Sequence, residues 1–91
     1  MYFITSVGKD DTRCVGYYSS FEQACFAVEH NCYDLYEAGC YPYAVIEKIE
    51  EGLYQYDFNP TWYKYNNSTE LYEKSERPSF IEKNLIGFGI G

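Results

Sequence analysis

The stretch YPYAVIEKIE, residues 41–50, carries apolar side chains at both alternating sets of positions before its charged end. In an extended strand, Tyr43 and Val45 point to one side of the sheet. The residues beside them, Ala44 and Ile46, point to the other side. A strand that is apolar on both sides is covered on both, and such strands lie inside a sheet. We therefore expect this segment to be the central strand, with the rest of the chain arranged around it.

The residues before this strand predict a strand pair. Residues 1–7 (MYFITSV) and 13–18 (RCVGYY) are rich in strand-forming residues and enclose a polar turn, so we expect an antiparallel pair. Within the second strand, Gly16 indicates either a bulge or a close approach by another backbone.

A helix is predicted between this pair and the central strand. A capping serine, Ser19 or Ser20, opens it, because a serine oxygen can accept a hydrogen bond from a free backbone N–H of the first turn. Asn31 is suited to a left-handed cap at its end. Apolar residues at helical spacing should pack this helix on the sheet: Phe21, Ala24, Cys25, Val28 and Cys32.

The residues after the central strand predict further strands. Residues 53–58 (LYQYDF) alternate apolar and polar side chains. Residues 61–65 and 71–74 flank the turn-rich quartet 66–69, which is typical of a β-hairpin. We expect a single α+β domain, residues 1–91, in which a small, mainly antiparallel sheet of about five strands carries one main helix on one face.

The charge balance bears on the class of partner. The net charge is −7, from 14 acidic and 7 basic residues. Direct binding to nucleic acid or to an anionic membrane surface relies on Lys and Arg, so this balance argues against both. It favours a protein partner with a basic surface. The chain shows neither a signal-peptide pattern nor an apolar stretch of about 18 residues, and we therefore expect a cytoplasmic protein that does not span a membrane.

Residues that could bind metal or carry out catalysis are sparse. The 4 cysteines form no C-x-x-C pair, and there is one histidine, His30. Since a tetrahedral zinc site needs clustered ligand pairs, we expect no metal and no cofactor. A nucleophile and base would have to join His30 to Cys14 or Cys40, and the sequence does not show that they are adjacent. Carboxylate pairs arise by chance among so many acids, so we expect no enzyme activity and no catalytic residues.

The aromatic side chains give the clearest indication of a binding surface. The chain is 21% aromatic and includes 12 tyrosines, whereas a domain of this size buries only about 60–65% of its unfolded surface. We expect some rings to remain exposed, and Tyr and Trp are enriched at the centres of interfaces. The predicted partner-binding surface combines rings with one acid: Tyr54, Tyr56, Asp57, Trp62, Tyr63, Tyr65 and Tyr72. The alternative is that one face of these rings belongs to the core.

A second candidate surface is acidic. Glu47, Glu50 and Glu51 lie at the end of the central strand, and Asp57 follows closely. Such carboxylates could steer the protein toward a Lys- and Arg-rich surface or imitate a nucleic-acid backbone. The alternative is that they only favour solubility.

Three hypotheses of function follow from different classes. The first is a non-enzymatic protein that binds a macromolecular partner, with a homo-oligomer as a variant of the same idea. The second is a small-ligand or nucleotide binder, in which rings stack a base and Arg13 or Lys64 meets a phosphate. The third is an enzyme of unknown chemistry, which would require a cleft containing carboxylates of perturbed pKa.

Several segments also carry a family resemblance. MYFIT opens the chain at 1–5, and the most specific segments are YPYAVIE at 41–47 and GFGIG at 87–91. The other matching positions are Arg13-Cys-Val-Gly-Tyr17, Phe21, Ala24, Val28, Glu29, Asp34, Glu37, Gly52-Leu-Tyr54 and Trp62. Together they resemble a family of small acidic proteins of unknown function from clostridial-type Firmicutes and their phages and mobile elements. The resemblance implies a cytoplasmic accessory protein that could inhibit a host defence protein by binding it, and it implies no activity, cofactor or catalytic residue.

Overall fold

The strands and the helix are defined in a computed structural model, which describes residues 1–8, 12–32, 41–51 and 60–81. Its elements are β1 (Tyr2–Val7), β2 (Thr12–Tyr18), α1 (Phe21–Glu29), β3 (Tyr43–Lys48), β4 (Thr61–Asn66) and β5 (Leu71–Ser75). The strand predicted at residues 53–58 lies outside the described residues.

The described strands form one sheet in the order β2-β1-β3-β4-β5, and every neighbouring pair is antiparallel. β3 is the middle strand, which confirms the prediction that the 41–50 segment supplies the centre of the sheet. α1 packs on one face, against β1, β2, β3 and β5. The predicted α+β class, with a five-stranded antiparallel sheet and a helix on one face, is confirmed.

The main core lies between α1 and the sheet. The register places Ile4 opposite Ile46 and Ala44 opposite Tyr63, so these four side chains share the face that meets the helix. The buried cluster consists of Ile4, Ala24, Ala27, Val28, Ala44, Ile46, Tyr63 and Tyr72. Because each large side chain buried in this way stabilises the fold by about 1.5–3 kcal/mol, this cluster is the main source of stability that the described residues show.

A smaller core lies on the opposite face of the sheet. Val7, Val45 and Trp62 are buried there, and Tyr43 and Ile81 pack against them. Val45 lies opposite Trp62 in the register, so the ring covers the central strand from this side. β3 is therefore covered on both faces, as its apolar residues at both parities predict.

Helix α1 begins and ends with the predicted caps. The Ser20 side chain accepts a hydrogen bond from the backbone N–H of Gln23 at 3.4 Å. At the other end, Asn31 adopts φ 47°, and the N–H of Cys32 donates to the carbonyl of Ala27 at 2.9 Å. This arrangement is a Schellman motif, which satisfies carbonyls at the end of a helix. The predicted apolar stripe is correct for Ala24 and Val28, but it omitted the buried Ala27 and included Phe21, whose side chain is exposed.

The β1–β2 pair contains the predicted bulge. The register passes from Ile4 opposite Gly16 to Thr5 opposite Cys14, which leaves Val15 as an extra residue in β2. Among the described atoms, none lies within 4 Å of the position that a Cβ on Gly16 would occupy. The bulge therefore explains this glycine, and a close backbone approach does not.

Candidate functional site

The predicted aromatic surface is largely inside the protein. The exposed fractions of Trp62, Tyr63 and Tyr72 are 7%, 0% and 2%, so the expectation that these rings face solvent is wrong. Tyr65 is partly buried and packs edge-on against Tyr72, with 5.4 Å between ring centroids. The remaining predicted members, Tyr54, Tyr56 and Asp57, lie outside the described residues.

These tyrosines are buried because their hydroxyl groups find partners inside the fold. The Tyr63 hydroxyl donates to the Glu29 carboxylate at 2.8 Å, and the Tyr72 hydroxyl donates to the Tyr41 carbonyl at 2.7 Å. A buried phenol costs little when its hydroxyl is hydrogen-bonded, and the ring then contributes a large apolar area to the core. A small domain can therefore bury more tyrosine than composition alone suggests.

Tyr63, Glu29 and Cys25 form a polar cluster beneath α1. Burial raises the pKa of the Tyr63 phenol far above its ordinary value, and the contacts with Cys25 and Glu29 raise that pKa further. The phenol is therefore neutral throughout the physiological range and donates a hydrogen bond to the carboxylate. The cluster joins α1 to β4, and a phenol held in the protonated state is not a nucleophile.

The predicted acidic group is not assembled as expected. Glu47 is 5% exposed, so its placement on an acidic surface is wrong. It lies within β3, where it shares a face with Val45 and lies opposite Phe3 of β1. Glu50 and Glu51 are exposed, as predicted, and the Glu50 carboxylate lies 3.3 Å from the ammonium group of Lys48.

One apolar surface that the described residues expose lies at the other edge of the sheet, while the exposed side chains of Met1, Phe21, Phe26, Leu71 and Phe80 lie elsewhere. β2 is exposed along most of its length, and within the described part of the chain it pairs with β1 only. Tyr17 and Val15 have exposed fractions of 60% and 37%. The Tyr17 ring packs against Phe3, with 5.6 Å between centroids. We call Phe3, Cys14, Val15 and Tyr17 the β2 edge surface.

The local sequence explains this exposure. Tyr17 lies opposite Phe3 and Cys14 lies opposite Thr5, so these β2 side chains stand on the face of the sheet that α1 does not cover. Arg13 is the one charged residue of β2, and its guanidinium carbon lies 5.4 Å from the centroid of the Tyr41 ring. The edge consequently has no acidic residue in a protein of net charge −7.

A shallow depression of about 460 Å³ lies on the β4–β5 hairpin, at the opposite side of the sheet. We call it the hairpin depression, and its lining residues are Lys64, Tyr65, Asn66, Asn67, Ser68, Glu73, Lys74 and Ser75. The Asn66 amide donates to the Glu73 carboxylate at 3.1 Å, and its carbonyl oxygen accepts from the backbone N–H groups of Ser68 and Thr69. The walls of the depression are therefore fixed by hydrogen bonds within the hairpin.

Other potential chemistry is limited in the described residues. No group of three or more His, Cys, Asp and Glu side chains among them is placed to hold a metal ion. His30 stacks on Phe26, with 4.0 Å between ring centroids, and one ring nitrogen lies 3.0 Å from the Phe26 carbonyl. Cys14, Cys25 and Cys32 are free thiols. In the same part of the chain, no helix has both the length and the apolar character needed to cross a membrane.

The sequence did not predict the β2 edge surface. Residues 54–72 contain more aromatic side chains than β2, and the prediction therefore favoured them. The available signal was the composition of RCVGYY, which has one charge in a predicted strand and a glycine that marks a bulge. Whether a strand lies at an edge depends on the strand order, which local sequence does not give.

Comparisons of the chain with protein-family models, with curated proteins and with solved structures found no match. The resemblance to a family of mobile-element proteins therefore stays a prediction.

Proposed function

We propose that this protein is a non-enzymatic binding domain, and that its partner is a protein with a basic surface that adds an extended segment to β2. The observation that supports this proposal is the exposure of β2 along most of its length, with Tyr17 exposed at 60%. The aromatic hairpin no longer provides a reason for partner binding, because Trp62, Tyr63 and Tyr72 are buried.

The backbone of an edge strand supplies the affinity in this mode of binding. A strand that pairs on one side presents N–H and C=O groups on its other side, and an extended segment of a partner can pair with them. The side chains on the faces of the sheet then supply specificity. Tyr17 and Phe3 offer a ring pair of the kind that is enriched at interface centres, and Val15 adds apolar area next to it.

The charge of the protein selects the partner. The described exposed acids lie outside β2 and are Glu22, Glu50, Glu51, Glu70, Glu73 and Glu76. A net charge of −7 attracts a segment rich in Lys and Arg during approach, whereas the absence of acids from β2 leaves the contact itself apolar. The same net charge disfavours nucleic acid as a partner. The further proposal that such binding inhibits a host defence protein rests on the sequence resemblance alone.

Affinity capture from host lysate at low salt tests the proposal, with three versions of the protein as bait. Val15→Lys places a charge on the proposed contact. Leu71→Lys is its matched control, because Leu71 has an exposed fraction of 39%, close to the 37% of Val15, and lies on the opposite edge strand. We expect one stoichiometric basic protein to bind the wild-type and Leu71→Lys baits but not Val15→Lys.

Two results would contradict the proposal. One is the recovery of no stoichiometric partner at low salt, where charge attraction is strongest. The other is equal capture by Val15→Lys and Leu71→Lys, which would show that the partner docks elsewhere. If a partner is captured, amide hydrogen exchange should slow in residues 14–17 in the complex, because their outward backbone groups become paired.

A further inference from the structure

We propose that the partner segment carries an arginine at the position directly opposite Tyr17, and that the guanidinium group of this arginine stacks on the Tyr17 ring. The inference rests on the proposed function, and it names the residue type by which the β2 edge surface recognises its partner. Three observations support it: the orientation of the β2 backbone, the position of the Tyr17 ring, and the distribution of charge on β2.

The hydrogen bonds of the sheet show which backbone groups of β2 point outward. The Met1 amine donates to the Ile49 carbonyl at 3.2 Å, and the Ile49 N–H donates to the Met1 carbonyl at 2.9 Å, so the two residues form a hydrogen-bonded pair. Because such pairs alternate along antiparallel strands, the backbone groups of Phe3 also point toward β3. Tyr17 lies opposite Phe3, and its own N–H and C=O therefore point away from β1, to the side of β2 on which no described strand lies.

An added strand therefore forms backbone hydrogen bonds with Tyr17. The Cα of the residue directly opposite lies about 5.5 Å from the Cα of Tyr17, and its side chain stands on the same face of the sheet. On that face the Phe3 ring follows the Tyr17 ring, with 5.6 Å between centroids. The side chain of the partner consequently lies next to a ring that is 60% exposed.

The charges of β2 favour a cation at this position. β2 has no acidic residue, and its one charged residue, Arg13, lies opposite Ser6 on the face that α1 covers. On the Tyr17 face, a cation of the added strand therefore meets neither a carboxylate nor a like charge of β2. The group of β2 that attracts it there is the aromatic ring, through the negative face of its π-system.

The protein makes the same type of contact within its own fold. The guanidinium carbon of Arg13 lies 5.4 Å from the centroid of the Tyr41 ring, inside the limit of about 6 Å for a cation–π interaction. Arginine suits such a contact better than lysine, because its planar guanidinium stacks on a ring and is less strongly hydrated than an ammonium group. The net charge of −7 attracts the arginine during approach, and the ring then holds it.

NMR titration of the isotopically labelled, full-length protein at low ionic strength tests the inference with four synthetic peptides. Each is the capped peptide Lys-Thr-Val-X-Val-Thr-Lys, in which X is arginine, lysine, leucine or citrulline, the uncharged analogue of arginine. We expect every peptide to shift amide resonances of residues 12–18. The arginine peptide should bind roughly two- to fivefold more tightly than the citrulline and leucine peptides, and the lysine peptide, which has the same total charge, should lie between them.

A pair of protein variants identifies the ring. Tyr17→Leu should abolish the preference for the arginine peptide over the leucine peptide, together with the upfield shift that a stacked ring causes in the arginine methylene protons. Phe26→Leu is the matched control, because Phe26 is 58% exposed, close to the 60% of Tyr17, and lies on α1. This variant should keep both the preference and the upfield shift.

The results separate this inference from the proposed function. If the peptides shift residues 12–18 but the arginine peptide binds no more tightly than the other three, strand addition stands and the arginine inference is overturned. Survival of the arginine preference in Tyr17→Leu overturns it as well. If no peptide shifts these residues saturably, strand addition itself is contradicted, and the arginine inference falls with it.

Discussion

The two edges of the sheet are built differently. β5 carries Glu73 and Lys74 at exposed positions, and Pro78 follows soon after its end. β2 is longer, has one charged residue, and exposes Val15 and Tyr17. Charged residues and proline are the means by which proteins protect sheet edges against unwanted pairing. β5 therefore has the composition of a protected edge, whereas the only such features of β2 among the described residues are Arg13 and the bulge.

The same contrast extends to the buried hydroxyl groups. On the β4–β5 side, the hydroxyls of Tyr63 and Tyr72 both donate hydrogen bonds inside the fold. On the β1–β2 side, Thr5 is 1% exposed and its hydroxyl has no hydrogen-bond partner within the described residues. β1 also supplies Ile4 and Val7 to the two cores, so the Thr5 hydroxyl marks one position at which this side of the sheet is not optimised.

The largest predicted difference in the free energy of unfolding is between alanine substitutions of two tyrosines, Tyr63 on the β4–β5 side of the sheet and Tyr17 on the β1–β2 side. Tyr63→Ala removes a ring with an exposed fraction of 0% and should lower the free energy of unfolding by about 3–5 kcal/mol. Tyr17→Ala removes a ring exposed at 60% and should change it by less than about 0.5 kcal/mol. Urea denaturation of both variants measures the difference. Similar losses would show that Tyr17 supports the fold, and the contrast between the edges would then fail.

The second predicted effect is a pH dependence of the free energy of unfolding that is caused by Tyr63. Burial raises the pKa of this phenol above that of the unfolded chain, so its share of stability is complete below the unfolded value of about 10 and is lost as the pH rises above it. Tyr63→Phe should cost about 1 kcal/mol at neutral pH, because the Glu29 carboxylate loses its donor.

Above about pH 10, wild type should lose stability faster than Tyr63→Phe, by up to about 1.4 kcal/mol per pH unit. Denaturation curves at a series of alkaline pH values measure the two slopes. Tyr17→Phe is the control for loss of a phenol hydroxyl, because Tyr17 is exposed on the other edge of the sheet. Equal slopes for wild type and Tyr63→Phe would mean that the phenol ionises without opposing the fold.

Much of the fold could be predicted from the sequence. The apolar residues at both parities of YPYAVIE predict a central strand because a strand covered on both faces has no polar side. The Ser20 cap and the Asn31 cap bracket α1 because both depend on local backbone chemistry. The bulge at Val15 follows from the glycine next to it. Each of these features is determined by neighbours in sequence.

The exposed surface could not be predicted in the same way. Trp62, Tyr63 and Tyr72 are buried because β4 lies next to the central strand and because α1 and Tyr41 supply partners for the two hydroxyls. Those partners are 34 and 31 residues away in sequence. Glu47 was placed on the surface because it is charged, yet its position in β3 puts it on a covered face. Exposure depends on such long-range contacts, which residue type does not give.

The third prediction concerns the hydroxyl of Thr5. Thr5→Val replaces a buried hydroxyl that lacks a hydrogen bond with a methyl group of similar size, and it should raise the free energy of unfolding by about 1 kcal/mol. Tyr72→Phe is the opposite case, because its hydroxyl donates to the Tyr41 carbonyl, and it should lower stability by about the same amount. Urea midpoints measure both. A destabilised Thr5→Val variant would mean that the Thr5 hydroxyl is satisfied in solution.

The smallest effect is expected at the edges themselves. Val15→Lys and Leu71→Lys change side chains exposed at 37% and 39%, and each should alter the free energy of unfolding by less than about 0.5 kcal/mol. The capture experiment depends on this near-equality of stability. If Val15→Lys is as stable as Leu71→Lys, unfolding does not explain a loss of partner binding, and the changed surface does. If Val15→Lys instead unfolds at much lower urea than Leu71→Lys, Val15 is part of the packed structure. β2 would then be an edge that the fold itself requires, and its exposed rings would no longer indicate a binding surface.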